Sequence, residues 1–378
     1  MTTARIEAPA IPQMSRLGRP YSLLMVTTVT MLVVGLTMIL SASSVEAFKR
    51  YGSSFLFFNR QILGAALGIA AMLVMSRTDY RKLHRFAGPL MGLTIALLVA
   101  VLVPGVGLSR AGSSRWLALG PITVQPSEMA KLAVVLFTAH VLERKGRKIR
   151  DFKEMALPVL LVLGIVGMLI MAQPDMGTTV IVGACGFVVI YLAGARGLHI
   201  AALSATSILG AAALSLNAGY RQARVKAFLN PWADPLNAGY QNIQGQIALG
   251  SGGIFGVGLG ASRQKWSYIP NAHTDFIFAI IGEELGLVGT LSVLLLFVFF
   301  IYLGIRIAKK APDRFGMLLA GGITGWIGIQ ALVNMAAVAG MLPITGVPLP
   351  LISFGGSSLV LTMAAIGILL SIARRGRA

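Results

Sequence analysis

Asp275 ends the run Pro270-Asn-Ala-His-Thr-Asp275 and opens an apolar stretch from Phe276 to Ile281. A carboxylate at the mouth of such a stretch is costly unless it lines a wet cavity, and one that does can accept a proton from a substrate. The competing reading is a helix cap, because Thr274 and Asp275 both suit a helix start. Positive charge is supplied by Arg115, in Gly112-Ser-Ser-Arg115-Trp-Leu117, and by Lys131, in Gln125-Pro-Ser-Glu128-Met-Ala-Lys131. Glu128 and Lys131 are three apart, share a helix face and can pair. They read either as an internal ion pair that pins a helix, or as part of a cationic wall. In the second reading Arg115 and Lys131 face a phosphate and Glu128 orients the lysine. One base with two cations suits displacement of a phosphate leaving group better than it suits ion coupling.

Other polar residues read as structural. Asp175, in Gln173-Pro-Asp175-Met-Gly-Thr178, is expected to cap the helix that follows, and Asp234, in Asn230-Pro-Trp-Ala-Asp234-Pro235, to bond a turn backbone. His273 has no second histidine or cysteine near it in sequence, so no zinc site is expected. Ser357 and Ser358 lack a nucleophile-elbow setting, and Glu283 and Glu284 are expected to satisfy backbone or a basic group. The glycine run from Gly250 to Gly260 neither follows a strand nor opens a helix of a βαβ unit, which excludes a dinucleotide site. The single cysteine, Cys185, cannot form an internal disulfide.

These residues need a scaffold, and composition says which kind. Of 378 residues 56% are hydrophobic and only 12% charged, with a mean hydropathy of +0.79. A soluble domain, a disordered chain and a disulfide-rich secreted protein are all excluded. The expected fold is an all-α polytopic membrane protein with about ten spans, at 21–44, 55–75, 88–103, 127–142, 156–172, 177–194, 198–217, 276–307, 315–340 and 351–373. Residues 1–20 form an N-terminal tail, 21–373 a single membrane domain, and 374–378 a C-terminal tail. Between the seventh and eighth spans lies one long loop, 218–275, whose apolar residues and glycines suggest that it dips toward the bilayer or covers a cavity. From Asp275 to Arg306 a straight helix would be about 46 Å long, against an apolar core of ~30 Å. A break near Gly282 to Gly286 is therefore expected.

The net charge of +19 is a topology signal. With the N-terminus inside, 21 of the 32 basic residues fall in the short inside segments, which predicts a multi-pass protein with both termini cytoplasmic and the long loop external. No nucleic-acid partner is expected. The first 20 residues lack a convincing cleavage site, so the first helix is expected to remain as an anchor.

Several motifs carry a resemblance. Gln125-Pro-Ser-Glu128, Gln173-Pro-Asp-Met-Gly-Thr178, Gly239-Tyr-Gln241, Gly256-Val-Gly-Leu-Gly260, His273-Thr-Asp-Phe-Ile-Phe278, Gly282-Glu-Glu-Leu-Gly286, Pro343-Ile-Thr-Gly-Val-Pro-Leu-Pro350 and Gly355-Gly-Ser-Ser358 together resemble the SEDS family (shape, elongation, division and sporulation). The run from Gly258 to Lys265 and on to His273 is more similar to the FtsW-type division branch than to the RodA-type elongation branch. The resemblance implies a peptidoglycan glycosyltransferase that polymerises lipid II onto undecaprenyl-pyrophosphate-linked glycan at the outer face of the cytoplasmic membrane, at the division septum. It places the essential acid at Asp275, assigns importance to Arg115, Glu128 and Lys131, and implies a class B penicillin-binding protein and other division proteins as partners. No cofactor is evident and no protein metal site is expected, although a divalent cation, Mg or Mn, could accompany the pyrophosphate. The alternatives are a lipid II flippase or an elongation polymerase. Transporters often pair broken helices in two repeats, and only one irregular loop is found here.

Overall fold

The computed structural model describes residues 19–110, 113–119, 122–146, 152–199, 201–202, 205, 210, 219–266 and 268–376. Eleven helices are defined among them: α1 Arg19–Tyr51, α2 Leu56–Arg77, α3 Ala87–Leu102, α4 Pro126–Lys145, α5 Phe152–Ala172, α6 Met176–Leu192, α7 Gly219–Leu229, α8 Tyr240–Ser251, α9 Ile277–Lys309, α10 Arg314–Val338 and α11 Gly356–Arg375. Six stretches, in α1, α2, α3 with the turn before it, α9, α10 and α11, are long and apolar enough to cross a membrane; the apolar parts of α5 and α6 are shorter. The chain is a multi-pass membrane protein. The expected seventh span, 198–217, falls largely outside the described residues.

The helices close on one another through small residues, as expected where lipid on the outside removes the hydrophobic drive between helices. Gly64 of α2 lies against the backbone of Gly356 in α11, Gly68 against Met363, and Gly367 of α11 against the α2 backbone at Met72. At one end of the bundle the helix termini are rich in lysine and arginine and are tied together. Arg81 and Tyr80 both bond the Asp313 carboxylate, Ser371 bonds the Thr78 carbonyl, and Arg314 bonds the Ala193 carbonyl. The Asp313 carboxyl loses solvent on partial burial, yet the Tyr80 hydroxyl, the Gly316 amide and Arg81 more than offset this and hold it below the usual carboxylate range.

At the opposite end three features depart from a plain bundle. First, a three-stranded antiparallel sheet links α3 to α4: β1 Gly107–Arg110, β2 Ser113–Leu119 and β3 Ile122–Val124. Leu117 is buried and faces Gly107 and Val124 across the two ladders. The segment is too short and too mixed in polarity for its strands to show against the surrounding helical periodicity. Second, the long connection is not an irregular loop; it contains α7 and α8. Third, α1 has 33 residues, about 50 Å. It therefore runs past the expected end of the first span, carrying Ser41 and, beyond that end, Glu46 to this end of the molecule.

The expected break in the long helix is present at Gly286 of α9, with φ 67° and ψ −161°. The turn after α8 fills it. Leu287 and Val288 donate to the carbonyls of Gly253 and Ile254, while Val257 and Gly258 donate to those of Glu283 and Glu284. Backbone meets backbone so closely that a Cβ at Gly256 would collide with the Glu284 carbonyl, and one at Gly286 with the Gly256 amide. The glycine run is thus the counterpart of the kink. Irregular backbone at this depth must find partners within the protein, and here it does. Glu283 and Glu284 complete the clasp. Glu283 accepts from Ser262 Oγ at 2.5 Å and from the Arg263 amide at 2.8 Å. Glu284 accepts from Ser41 Oγ at 2.6 Å and pairs with Lys265 Nζ at 3.3 Å.

Gly286→Ala places a side chain in a conformation open almost only to glycine and into occupied space. It is expected to destabilise the protein by about 1–3 kcal/mol. Gly88→Ala, in α3 with open space around it, should leave the thermal midpoint in detergent unchanged. Equal midpoints for the two variants would show that the clasp does not hold the kink.

Candidate functional site

The segment Pro343 to Pro350, between α10 and α11, is not helical although much of it is buried. Two amides of α10, four residues apart and so on one face, satisfy it. Asn334 Nδ2 donates to the Val347 carbonyl and to the Asp275 carbonyl, each at 2.8 Å. Gln330 Nε2 donates to the Pro348 carbonyl at 2.8 Å, and the Ser353 hydroxyl accepts from the Leu349 amide. Asn334 therefore ties the backbone of Asp275 directly to this segment.

The Asp275 side chain lies in the turn before α9. Its Oδ1 accepts from Thr274 Oγ1 at 2.9 Å, and its Oδ2 lies 3.8 Å from where a Gly346 Cβ would be. Helix α9 starts from Phe276 with no side-chain cap, so the capping role does not account for Asp275. The residue is neither sealed nor fully exposed. Loss of solvent raises its pKa above the ordinary aspartate value, against the Thr274 hydroxyl, its own backbone amide and the positive charge of Arg224. The carboxyl is thus a stronger base than a surface aspartate, and it has one hydrogen-bond donor among the described side chains.

His273 locks the same turn from behind. Its ring packs at 4.5 Å from Phe57 and 5.4 Å from Phe354, its Nδ1 lies 3.3 Å from Glu46 Oε2, and its carbonyl accepts from the Phe354 amide. Glu46 is legible only once α1 is known to run its full length.

The cations are placed differently from an open wall. Arg115, on β2, donates Nε to the Gln173 carbonyl at 3.0 Å and Nη2 to the Pro174 carbonyl at 2.5 Å. Asp175 lies 3.8 Å from its Nη1. Asp175 itself caps α6 through the Thr178 amide and hydroxyl, as expected, and Asp234 bonds Asn237 and the Ala238 amide in its turn. Lys131 is fully buried. Its Nζ meets Glu128 Oε2 at 2.7 Å and Gln330 Oε1 at 2.9 Å and lies 5.4 Å from the Trp326 ring centroid. This is the internal ion pair that the three-residue spacing left open, in place of a lysine on an open rim. The pair still reaches the site, because Gln330 bonds Lys131 with its oxygen and the 343–350 segment with its nitrogen. The turn 173–175 reaches the same segment, since Gly177 lies against the Thr345 carbonyl so closely that a Cβ would collide with it.

The motifs around Arg115, Lys131 and Asp275 thus converge on one partly buried segment, and Arg115 and Lys131 do so through intermediaries. Gln330 and Asn334 were not singled out from the sequence. Their signal was an i, i+4 pair of amides in an apolar span, where polar side chains usually have a task. Arg224 of α7 was missed as well; its guanidinium bonds the Ile344 carbonyl at 3.2 Å. Among the described residues no three histidine, cysteine or acidic side chains converge to hold a metal.

Lys131→Met would leave Glu128 buried without its partner and should destabilise the protein by about 3–5 kcal/mol. Lys131→Met with Glu128→Gln should recover most of that loss. Thermal unfolding in detergent checks both, and a single variant that melts with the wild type would show that the lysine carries no buried pair.

Comparison with known proteins agrees with this architecture. Residues 21–378 match the model of the FtsW/RodA/SpoVE cell cycle proteins. The stage V sporulation protein E of Bacillus subtilis is 45% identical over 95% of this chain and 98% of its own. A probable peptidoglycan glycosyltransferase FtsW of Geobacter metallireducens is 40% identical over 93% and 94%. Among solved structures, a chain from a study of how a peptidoglycan synthase complex coordinates polymerization and crosslinking superposes with a TM-score of 0.76 at 32% identity, covering 93% of this chain and 97% of that one. The rod shape determining protein RodA of Thermus thermophilus gives 0.69 at 30% identity over 94% and 97%. With one relative 45% identical along nearly its whole length and a family model spanning all but the first 20 residues, the chain belongs to the FtsW/RodA/SpoVE family.

Proposed function

We propose that this chain is a peptidoglycan glycosyltransferase of the division type, polymerising lipid II at the outer face of the cytoplasmic membrane with Asp275 as its general base. The observation that carries the reading is the Asp275 carboxyl: partly open, free of any capping duty, and braced by Asn334 and the His273 cage. Relatives named as probable peptidoglycan glycosyltransferases support the activity, and the many FtsW names among them support the division role.

Asp275 takes the proton from the 4-hydroxyl of the acceptor GlcNAc as that oxygen bonds to the anomeric carbon of the donor MurNAc. The bond from that carbon to the pyrophosphate breaks, and the lipid pyrophosphate departs with the electron pair. An α-linked donor gives a β-1,4 product by a single inversion, so one carboxylate suffices and no sugar-enzyme bond is needed. Both reactants are held in the plane of the bilayer, which removes much of the entropic barrier to their meeting. Arg115, Glu128 and Lys131 contribute by fixing the 173–175 turn and the 343–350 segment against which the donor pyrophosphate lies, and no step is assigned to a metal.

The basic ends of the helices are the cytoplasmic side, and α7, α8 and the Asp275 turn are external. A class B penicillin-binding protein is the partner that would crosslink the product, in keeping with the synthase complex that this fold resembles. Other division proteins and the septum follow from the same reading.

Asp275→Asn should abolish conversion of lipid II to glycan, by about 100-fold or more, when reconstituted with its partner and folded as the wild type. Polymerisation near the wild-type rate would sink the assignment. The reaction needs the deprotonated acid, whose pKa is raised, so activity should fall on acidification well before the ordinary aspartate value of about 3.9 is reached. A rate profile against pH with its acid limb at or below that value would count against a base that partial burial has strengthened.

A further inference from the structure

We infer that Arg224 is the residue that binds the pyrophosphate of the lipid-linked substrate, across the 343–350 segment from Asp275. The inference rests on the glycosyltransferase reading and adds to it the anion site that Arg115 and Lys131 do not provide.

The guanidiniums and ammoniums near the site differ in how much of their capacity is spent. Lys131 is buried against Glu128, Gln330 and Trp326. Arg115 is committed to two carbonyls and stands beside Asp175. Lys265 is paired with Glu284 inside the clasp. Arg224 is exposed and has a single hydrogen bond among the described residues, from Nη1 to the Ile344 carbonyl. That bond leaves most of its five N–H donors for a ligand. Among the described residues no carboxylate forms a salt bridge with it, and the acid that feels its charge is Asp275.

Its position fits the task. Ile344 and Gly346 are two residues apart, at most about 7 Å along the chain. Arg224 holds the first, and the Asp275 carboxylate lies against the second. The guanidinium and the carboxylate therefore flank one short stretch of backbone, near enough for Arg224 to lower the proton affinity of Asp275. Base and cation so placed can address the two ends of one reacting bond. The carboxylate takes the proton of the attacking alcohol, while the guanidinium offers paired donors to the departing phosphate oxygens.

The test measures binding, so that it does not depend on Asp275 acting as the base. In nanodiscs, the Asp275→Asn protein and the same protein carrying Arg224→Ala, Arg224→Gln or Arg224→Lys are titrated with lipid II, undecaprenyl pyrophosphate, undecaprenyl phosphate and undecaprenol. Arg224→Ala and Arg224→Gln are expected to weaken undecaprenyl pyrophosphate binding by roughly tenfold or more, to weaken the monophosphate less, and to leave undecaprenol unchanged. Arg224→Lys should retain part of the affinity, since a lysine keeps the charge but not the two-pronged geometry. Unchanged pyrophosphate affinity would overturn the inference. So would an equal loss for undecaprenol, which would mean that Arg224 only holds the segment in place. If lipid II affinity falls while undecaprenyl pyrophosphate affinity does not, the guanidinium reads a carboxylate of the peptide, and the assignment fails. Should Asp275→Asn alone remain an active polymerase, the base assignment would fall while this binding result stood.

Discussion

The site depends on how one stretch of non-helical backbone is kept inside a helix bundle. Residues 343–350 present carbonyls and amides that a helix would have satisfied internally, and Val347, Leu349 and Pro350 among them are buried. Gln330 and Asn334 take over that work from the side of α10, and Ser353 from the chain itself. The functional motifs meet here. Asn334 extends the arrangement to the Asp275 backbone, Gln330 to the Lys131–Glu128 pair, and the close approach of Gly177 to the 173–175 turn that Arg115 holds. A charge far from the reacting groups can therefore matter to the chemistry without touching the substrate.

Much of this was legible beforehand. The apolar runs predicted the helices because their length is set by the thickness of the bilayer, and the excess length of the run after Asp275 required the break found at Gly286. The exceptional position of Asp275 followed from the energetics of a carboxylate beside an apolar stretch. The sheet that carries Arg115 did not follow, because short, mixed strands between two spans have no clear period. The burial of Lys131 was also undecided, because spacing shows that Glu128 and Lys131 can pair but not which way their shared face points. Glu46 and Arg224 are brought to the site only by the length of α1 and by the helix within the long connection.

The glycine run shows how a motif can mislead when read by its spacing alone. Gly256 and Gly286 are glycine because two backbones pass within touching distance, and Glu283 and Glu284 are buried because their carboxylates hold the turn that lies across the kink. A phosphate-binding loop would call for similar glycines for a different reason, namely the approach of a ligand. Here the approaching group is the protein itself.

The length of α1 makes it a lever. It is a rod of about 50 Å, and its last turns press Glu46 toward His273 and Ser41 into the clasp. A change of about 5° in its tilt would swing that tip by about 4 Å, more than the span of the contacts it makes. Tilt answers to the thickness of the surrounding lipid, so a bilayer of different thickness would act on this end of the molecule through α1.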